Sequence, residues 1–464
     1  MQLIGTLKPT VMLLLCALSL AVQSAAMDSA TLDKAAQLRD QALTSDQAYK
    51  LLESLTTEVG PRLAGSDKEL EAIEWAKTKF REMGFDKVWT EPVKVKQWQR
   101  LSESAAVIAP FTQPLQISTL GHSVSTPPGG ATGEIAHFAT LEALEKASPG
   151  EVKDKIVFIS NRMHRHKTGS GYGPAVRARG EGASIAGAMG AKALLIRSIG
   201  TDSHRLPHTG VLRYDEDKPK IAAAALSNPD ADLLERMLER GNPVSLTVNI
   251  QTRDKGEVEV ANVIGEIQGR TKPDEVVLLG AHLDSWDLGT GAVDDGAGVA
   301  LTMAAANLIQ DSLKQRPYRT IRVVLFAAEE VGLVGAKAYA AAHQDDMDKH
   351  IIGAESDFGA GPVWALSAKV GAQALPVIDS MAQLMGALGV VRSDSIASGG
   401  PDVGQMVKLG MPAVDLMQDG TDYFDLHHTA DDTLDKVDPK ALQQNLAAWT
   451  VFAYLAAQWP GSFR

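Results

Sequence analysis

The feature that most constrains the fold is a series of short apolar runs in the second half of the chain. Residues 276–281 read Val-Val-Leu-Leu-Gly-Ala, a run without polar side chains that is typical of a strand buried on both faces of a sheet. Further strands are predicted at residues 320–327, 351–354 and 413–417, and the Ala-rich residues 297–309 predict a helix. Strands that alternate with helices predict an α/β sheet covered by helices.

Two further helices carry recognisable signals at their ends. Ser66 followed by Glu69 has the pattern of a capping box, and apolar residues then recur at spacings of three and four until Gly84. Asp438 and the proline after it predict the start of a closing helix that reaches about residue 458.

The segment 115–252 has a different texture. Its β-like runs at 156–159, 193–196 and 244–250 alternate with Gly-rich and polar stretches, so we expect a small α/β insert. Its glycines match neither a dinucleotide-binding nor a Walker fingerprint. The predicted domain limits are 27–114 for the N-terminal part of the main domain, 115–252 for the insert and 253–464 for the rest of the main domain.

The N-terminus predicts export. The apolar run 11–22 follows Lys8 and precedes the small residues at 24–26, which is the pattern of a secretory signal peptide covering residues 1–26. The run is short for an uncleaved anchor, because a membrane span needs about 20 apolar residues. Cys16, the single cysteine of the chain, lies in this segment. We therefore expect a periplasmic or secreted mature protein that has no thiol and no membrane attachment.

Composition excludes several classes of protein. The chain has 464 residues, 45% of them hydrophobic, which argues against disorder. Its formal net charge of −12 opposes binding to nucleic-acid phosphates. One cysteine rules out a disulfide framework within the chain.

Acids and histidines follow the predicted strands and would gather at one edge of the sheet, because the carboxyl ends of strands in an α/β sheet meet at the ligand crevice. These residues are His282, Asp284, Asp294, Asp295, Glu329, Glu330, Asp357, His427 and His428. Each alone has an ordinary reading as a helix cap or a surface group. Five such loops together are hard to explain in that way.

Carboxylates and imidazoles without thiolates suit hard to borderline divalent metals such as Zn²⁺. Two metals about 3.5–4 Å apart need a carboxylate shared between them. A single Zn²⁺ would leave several crowded carboxylates uncompensated. The residue types therefore favour two metal ions over one.

These motifs resemble those of the M28 family of di-zinc exopeptidases. The resemblance rests on five segments, namely 282–284 (His-Leu-Asp), 291–296 (Gly-Ala-Val-Asp-Asp-Gly), 328–330 (Ala-Glu-Glu), 355–357 (Glu-Ser-Asp) and 428–433 (His-Thr-Ala-Asp-Asp-Thr). Smaller matches at 125–128, 207–210, 282–287 and 424–428 are similar to the carboxypeptidase Q group within that family. The resemblance spans residues 48–460. It implies a mixed central sheet of the zinc-exopeptidase type and an insert similar to a protease-associated domain, which in such enzymes can cover the cleft.

The resemblance also implies two Zn²⁺ per chain and assigns their ligands. His282 and Asp357 would bind one metal. Glu330 and His428 would bind the other, and Asp294 would bridge the two.

Four more roles follow from the resemblance. Glu329 would be the general base, taking a proton from a water between the metals and returning it to the leaving amine. Asp284 would orient His282, and Asp432 or Asp431 would do the same for His428. His427 stands where the wider family often has tyrosine, and it would either donate to the developing oxyanion or serve as a packed neighbour.

Other histidines and one arginine have plainer interpretations. His208 and His204 lie in the insert, and loop packing is favoured over a site role for them. His164 and His166 sit in a basic stretch that predicts a solvated loop. Arg62 is expected to shape a turn or to pair internally.

The sequence thus predicts an exported di-zinc metallo-exopeptidase that hydrolyses dipeptides or short peptides at a free terminus. The alternatives are a single-zinc enzyme similar to glutaminyl cyclases and a non-catalytic binding protein on the same fold. Which terminus is recognised stays open, because no Arg or Lys can be assigned to an α-carboxylate. By resemblance to mammalian relatives, a homodimer and a removed pro-segment within 27–47 are also expected.

Overall fold

The computed structural model describes residues 27–464, so the predicted signal peptide lies outside the described residues. The helices are α1 (Ser29–Ala42), α2 (Gln47–Ser54), α3 (Asp67–Glu82), α4 (Leu141–Glu145), α5 (Pro149–Val152), α6 (Tyr172–Ala188), α7 (Asn228–Glu239), α8 (Ala297–Ser312), α9 (Val334–Ala342), α10 (Leu375–Met385), α11 (Val403–Lys408), α12 (Tyr423–Leu426) and α13 (Pro439–Gln458). The strands are β1 (Lys87–Ala109), β2 (Gln113–Leu115), β3 (Ile117–Thr119), β4 (Ala131–Phe138), β5 (Ile156–Ile159), β6 (Ala193–Arg197), β7 (Ala222–Leu226), β8 (Ser245–Ile267), β9 (Lys272–His282), β10 (Arg319–Phe326), β11 (His350–Glu355), β12 (Val363–Lys369), β13 (Val391–Arg392) and β14 (Ala413–Gln418).

The strands form one mixed sheet, in the order β13-β12-β14-β11-β9-β10-β8-β4-β5-β6-β7-β3. In its first half, β14, β11, β9 and β10 run parallel to one another, while β12 is antiparallel to β14 and β8 is antiparallel to β10. The edge strand β13 is parallel to β12. This architecture confirms the predicted α/β class with a mixed central sheet flanked by helices.

Helices cover both faces of the first half of the sheet, and alternate residues of β9 show how. Val277 and Leu279 belong to the large core that also contains α8 and α13, whereas Val276 and Leu278 pack in a second core with α9 and α11. Because successive side chains point to opposite faces of a strand, burial on both faces requires the uninterrupted apolar run seen in the sequence. The helix α1 also belongs to the large core, where its Leu38 is fully buried.

Two long strands connect the halves of the sheet. β1 and β8 pair antiparallel over almost their whole length, with register shifts near Trp98, Ser102 and Ala109. β8 pairs with β4 at its start and with β10 at its end, so it crosses residue 252, the predicted end of the insert, without a break. Sequence analysis missed β1 and saw only the first residues of β8. Beyond them, β4, β5, β6 and β7 form a parallel sheet with α6 and α7.

The predicted helix ends are confirmed at α3 and α13. The Ser66 side chain accepts from the amide of Glu69 at 3.2 Å, and α13 begins at Pro439 after its cap Asp438. The capping box itself is only half formed. The Glu69 carboxylate accepts from the amides of Gly65 and Ala328 instead of the Ser66 amide, and it thereby ties α3 to the end of β10.

Within residues 27–464, no helix combines the length and the apolar character that crossing a membrane requires.

Candidate metal centre and active site

The predicted site residues meet at the carboxyl ends of the four adjacent parallel strands. His282 is the last residue of β9, and Asp357 lies two residues beyond β11. Glu329 and Glu330 follow β10, and His428 follows the short helix α12 after β14. Asp294 lies in the segment Ala292–Gly296 that leads into α8, and its backbone angles (φ −129°, ψ 91°) are not helical. The topology thus brings side chains separated by almost 150 positions into one cleft.

Two groups of ligand atoms share Asp294. In the first group, His282 Nε2 lies 3.1 Å from Asp294 Oδ1 and 3.5 Å from Asp357 Oδ1. In the second, His428 Nε2 lies 3.3 Å from Asp294 Oδ2 and 3.0 Å from Glu330 Oε2. Ligand atoms of a tetrahedral Zn²⁺ with bonds of 2.0–2.1 Å are about 3.3 Å apart, so each of these histidine–carboxylate pairs has the spacing of two ligands to one ion.

Unsatisfied buried atoms support the same interpretation. Asp294 Oδ2 and Glu330 Oε1 are buried and accept no hydrogen bond, although buried polar atoms are rarely left without a partner. The other oxygen of Glu330 accepts from the indole Nε1 of Trp286 at 2.6 Å. These two oxygens without a partner lie among other hydrogen-bond acceptors. A bound cation therefore fits this set of ligand atoms.

Electrostatics in the cluster also calls for positive charge. Burial raises the pKa values of Glu330 and Asp357 above their ordinary range. Burial opposes ionisation of Asp294 too, but the nearby imidazoles of His282 and His428 hold the pKa of Asp294 well below its usual value. A divalent cation supplies the charge that these carboxylates otherwise draw from protonated imidazoles.

Glu329 differs from its neighbour Glu330. Its carboxylate lines the cleft, and no ion pair or hydrogen bond to it is found within the described chain. Burial raises the pKa of Glu329 well above its ordinary value, and the carboxylates of Asp357 and Glu330 raise it further against the opposing effect of His282. A carboxylate that is unpaired and has a raised pKa is suited to accept and release a proton.

Asp284 holds the turn that carries these two glutamates. Its Oδ1 accepts from the amide of Glu329 at 2.9 Å and its Oδ2 from the amide of Glu330 at 3.3 Å. The ring Nδ1 of His282 lies 3.0 Å from the backbone oxygen of Asp284 and 3.5 Å from its carboxylate. Asp284 therefore contacts His282 as expected, mainly through its carbonyl group.

Asp432 was expected to orient His428, but it lies beside the turn that carries Asp294. Its Oδ1 accepts from the amide of Val293 at 2.6 Å, so it supports the turn around Asp294. The Nδ1 of His428 instead lies 3.2 Å from the carbonyl oxygen of Thr209. Burial, together with the nearby Asp294, raises the pKa of Asp432 to about 7. Sequence reasoning could not find Thr209, because a backbone carbonyl leaves no signal in residue type.

His427 stacks on His428 with ring centroids 3.5 Å apart. Its Nε2 lies 3.6 Å from Asp294 Oδ2, and its Nδ1 is buried without a partner. Burial and the neighbouring His428 hold the pKa of His427 well below its usual value, which favours the neutral ring with one N–H. His428 itself has a φ of 62°, a conformation that is uncommon for residues other than glycine and concentrates at functional sites.

Two residues with plainer predicted roles lie close to the site. Arg62 is fully buried and donates to backbone carbonyls, including those of Leu283 and Gly291, which confirms that it pairs internally. His208 packs in a loop, as expected, and it is buried there, with Nδ1 2.6 Å from the carbonyl oxygen of His427 and Nε2 2.9 Å from Asp202. It thus joins the insert to the strand-end loops.

Residues of the segment 115–252 also line the cleft. A cavity of about 340 Å³ is lined by Asp294, Glu329, Glu330, Asp357, His427 and His428. Its lining also includes four residues of that segment that sequence analysis did not single out, Tyr172, Arg179, Val211 and Arg213. The ring of Tyr172 meets that of His427 edge to face at 5.3 Å.

Comparison with known proteins agrees with this site. Residues 262–453 match peptidase family M28. Carboxypeptidase Q of Mus musculus is 34% identical over 412 residues, covering 89% of this chain and 86% of that protein.

Solved structures show the same relationship. The crystal structure of a peptidase M28 precursor from Shewanella amazonensis has a TM-score of 0.92 and 49% identity, covering 94% of this chain and 99% of that one. BSAP, a zinc aminopeptidase from Bacillus subtilis, has a TM-score of 0.65 at 19% identity, covering 89% and 95%, and shares the fold.

The fold, the strand-end cluster of acids and histidines and these relatives together define a metallo-exopeptidase. The chain belongs to peptidase family M28.

Proposed function

We propose that the protein is an exported exopeptidase that binds two Zn²⁺ and hydrolyses dipeptides or short peptides at a free terminus. The observation that carries the proposal is the position of Asp294, whose two oxygens face His282 on one side and His428 on the other. A carboxylate in that position serves two ions at once. Zinc is proposed because the ligand atoms are imidazole nitrogens and carboxylate oxygens and because a zinc aminopeptidase shares the fold.

In this proposal His282 and Asp357 would hold one ion, Glu330 and His428 would hold the other, and Asp294 would be a ligand shared by both. When bound, the two ions polarise the scissile carbonyl and lower the pKa of water. Glu329 takes the proton from the attacking water and delivers it to the leaving amine. Its bare carboxylate in the cleft wall supports this role, because no other group competes for the proton.

Asp284 and Trp286 keep these groups in position. Asp284 fixes the turn of Glu329 and Glu330 through two amides, and Trp286 orients the carboxylate of Glu330. Partners of this kind set the direction and basicity of ligands. Asp432 contributes indirectly, by holding the turn before Asp294.

We propose that His427 donates its N–H to the developing oxyanion. Its neutral ring, its unpartnered Nδ1 and its place in the cavity wall support this. Replacing His427 with alanine should lower kcat by about 10²-fold, as for loss of one oxyanion donor, with metal content unchanged. Steady-state kinetics and metal analysis of the same sample check this. Loss of one metal from the variant would instead make His427 a ligand.

The cleft suits small substrates. A cavity of about 340 Å³ lies near the lower end of ligand pockets, which span about 300–1,000 Å³, and the insert closes one side of it. We further propose a periplasmic or secreted location and a homodimer, and we do not expect nucleic acid as a partner, given the net charge of −12.

The decisive experiment combines metal analysis with a substrate panel. The purified protein should contain two zinc ions per chain and cleave dipeptides with a free amino or carboxyl terminus, and full chelation should abolish the activity. One zinc per fully active chain would support the single-zinc alternative similar to glutaminyl cyclases. Two bound metals with no hydrolysis of any peptide would support the binding-protein alternative. Activity that survives complete metal removal would overturn the mechanism.

A further inference from the structure

His428, one of the proposed metal ligands, is oriented by a residue that lies far from it in the chain. Its Nδ1 lies 3.2 Å from the carbonyl oxygen of Thr209, and its own carbonyl oxygen accepts from the amide of Thr209 at 3.0 Å. A carbonyl oxygen only accepts hydrogen bonds, so Nδ1 is the donor and Nε2 is the nitrogen that is left for a metal. The segment 115–252 thus selects the form of this ring that can bind an ion.

The carbonyl group of Thr209 needs support, because residues 201–210 belong to no helix or strand. His208, the residue before it, supplies a third contact, with Nδ1 2.6 Å from the carbonyl oxygen of His427. Three hydrogen bonds therefore join residues 208–209 to residues 427–428. Movement of the His208 ring would carry the Thr209 carbonyl away from the metal ligand.

The His208 ring is itself held from its other end. Its Nε2 lies 2.9 Å from Oδ1 of Asp202, and both side chains are only 1% exposed. The same oxygen accepts from Nδ2 of Asn228 at 3.0 Å. Burial opposes ionisation of Asp202, but the hydrogen bond from His208 holds the pKa of this carboxyl below its ordinary value. Hydrogen bonds to an ionised carboxylate are stronger than those between neutral groups, so Asp202 fixes the ring firmly.

The backbone around His208 is shaped to this ring. A Cβ atom at Gly200 would lie 2.2 Å from Nε2 of His208, so a residue with a side chain at this position would displace the imidazole. The amide of His208 donates to the hydroxyl of Ser198 at 2.8 Å, and the hydroxyl of Thr209 donates to the carbonyl oxygen of Thr119 at 2.9 Å. Both residues are therefore fixed within the segment 115–252.

We propose that His208 is a positioning residue for the metal ligand His428. Held by Asp202, it keeps the Thr209 carbonyl against the His428 ring, and the segment 115–252 thereby determines the affinity for the ion that His428 binds. This inference rests on the proposed function and deepens it. It gives the segment a part in building the metal centre in addition to lining the cleft.

The other proposed ion has no such dependence. The Nδ1 of its ligand His282 lies 3.0 Å from the backbone oxygen of Asp284, two residues further along the chain. That contact involves no residue of the segment 115–252. Loss of the His208 contact should therefore weaken the binding of one zinc ion and leave the other unchanged, which a general loss of stability would not do.

The test uses two variants that each keep one half of the imidazole. Asparagine has its amide nitrogen at the position of Nδ1, and glutamine has it at the position of Nε2. His208→Asn can therefore still donate to the carbonyl of His427, whereas His208→Gln can donate only to Asp202. Zinc titration of the metal-free protein against a competing chelator should show an affinity for one ion that is about 10-fold lower in His208→Gln, the lower end of the range for partners of metal ligands. The loss should be smaller in His208→Asn.

Two background variants identify the ion that is affected. In His282→Ala, which keeps the His428 ligand, adding His208→Gln should lower the remaining zinc affinity by a similar factor. In His428→Ala the same change should add no loss, because the ligand that His208 positions is already absent. Equal losses in both backgrounds would show a general structural role and overturn the inference.

The matched control is His204→Gln. His204 lies in the same loop, is exposed and has its Nδ1 3.8 Å from Asp431, so both zinc affinities should equal those of the unmodified protein. The melting temperature of every variant is measured with and without zinc. Because the rise on adding zinc is taken against the same metal-free variant, a loss of stability that is unrelated to zinc does not enter it. The rise should be smaller for His208→Gln than for His208→Asn.

Zinc titration needs no turnover, so its result is separate from a test of peptidase activity. Two bound zinc ions without hydrolysis of any peptide would contradict the proposed function alone, and the titrations would still decide the role of His208. An unchanged zinc affinity in His208→Gln, or a larger loss in His208→Asn than in His208→Gln, would refute the positioning role. Binding of no zinc by the unmodified protein would contradict both proposals.

Discussion

Glu329→Gln should lower kcat by about 10²- to 10⁴-fold, the range that one positioned acid–base group contributes, and should leave two metals bound. The amide keeps the shape and hydrogen-bonding size of the carboxylate but cannot accept the proton of the attacking water. The structure supports a separation of chemistry from metal binding, because the Glu329 carboxylate makes no contact with His282 or His428 while Glu330 does. Steady-state kinetics with a dipeptide check the loss of kcat, and metal analysis of the same preparation checks that two metals stay bound.

The matched control is Glu71→Gln on α3. Glu71 is exposed and pairs only with Lys68, so this variant should keep full activity. Glu329→Asp gives a second comparison, because aspartate is still a base but has a shorter side chain. The activity of this variant should lie between those of the unmodified enzyme and of Glu329→Gln. Full turnover by Glu329→Gln would exclude Glu329 as the base. Loss of a metal from it would place Glu329 among the ligands.

The parts of the fold that follow local rules could be predicted from the sequence. Residues 276–281 of β9 are buried on both faces, which requires a continuous apolar run, and α13 carries its start signal in Asp438 and Pro439. Several site residues could be predicted for a related reason, because His282, Glu329, Glu330 and Asp357 lie at or within a few residues of the ends of such strands. Parallel strands bring their carboxyl ends together, so positions far apart in the chain could be expected to meet.

The parts that depend on distant packing could not be predicted. β1 is half exposed along much of its length, and only its pairing with β8 defines it. Arg179 lies in a Gly- and Ala-rich helix, and nothing around it in the sequence indicates that it faces a cavity shared with His427. The same holds for Glu69, which satisfies the amide of Ala328 in place of the expected capping contact, because that choice depends on how α3 docks beside β10.

The second large effect is expected for Asp294→Ala, which should remove both metals and with them the activity. Among residues 27–464, Asp294 is the one side chain that lies within 3.3 Å of both His282 Nε2 and His428 Nε2, so its removal takes a ligand from each ion and the shared charge from both. The ions contribute several kcal/mol of transition-state stabilisation, and about 1.36 kcal/mol is a factor of ten. Turnover should therefore fall by about 10³-fold or more.

Comparison with single-site variants makes the bridging role measurable. His282→Ala and His428→Ala each remove a ligand of one proposed ion, so each should lose one equivalent of zinc after dialysis while Asp294→Ala loses two. Asp274→Ala, at an exposed position of β9, should lose none. Because bound metal stabilises only the folded state, the melting temperature should fall in the same order as the metal content. If Asp294→Ala retained one ion as firmly as His428→Ala does, Asp294 would serve a single ion, and the two-metal proposal would lose the observation on which it depends.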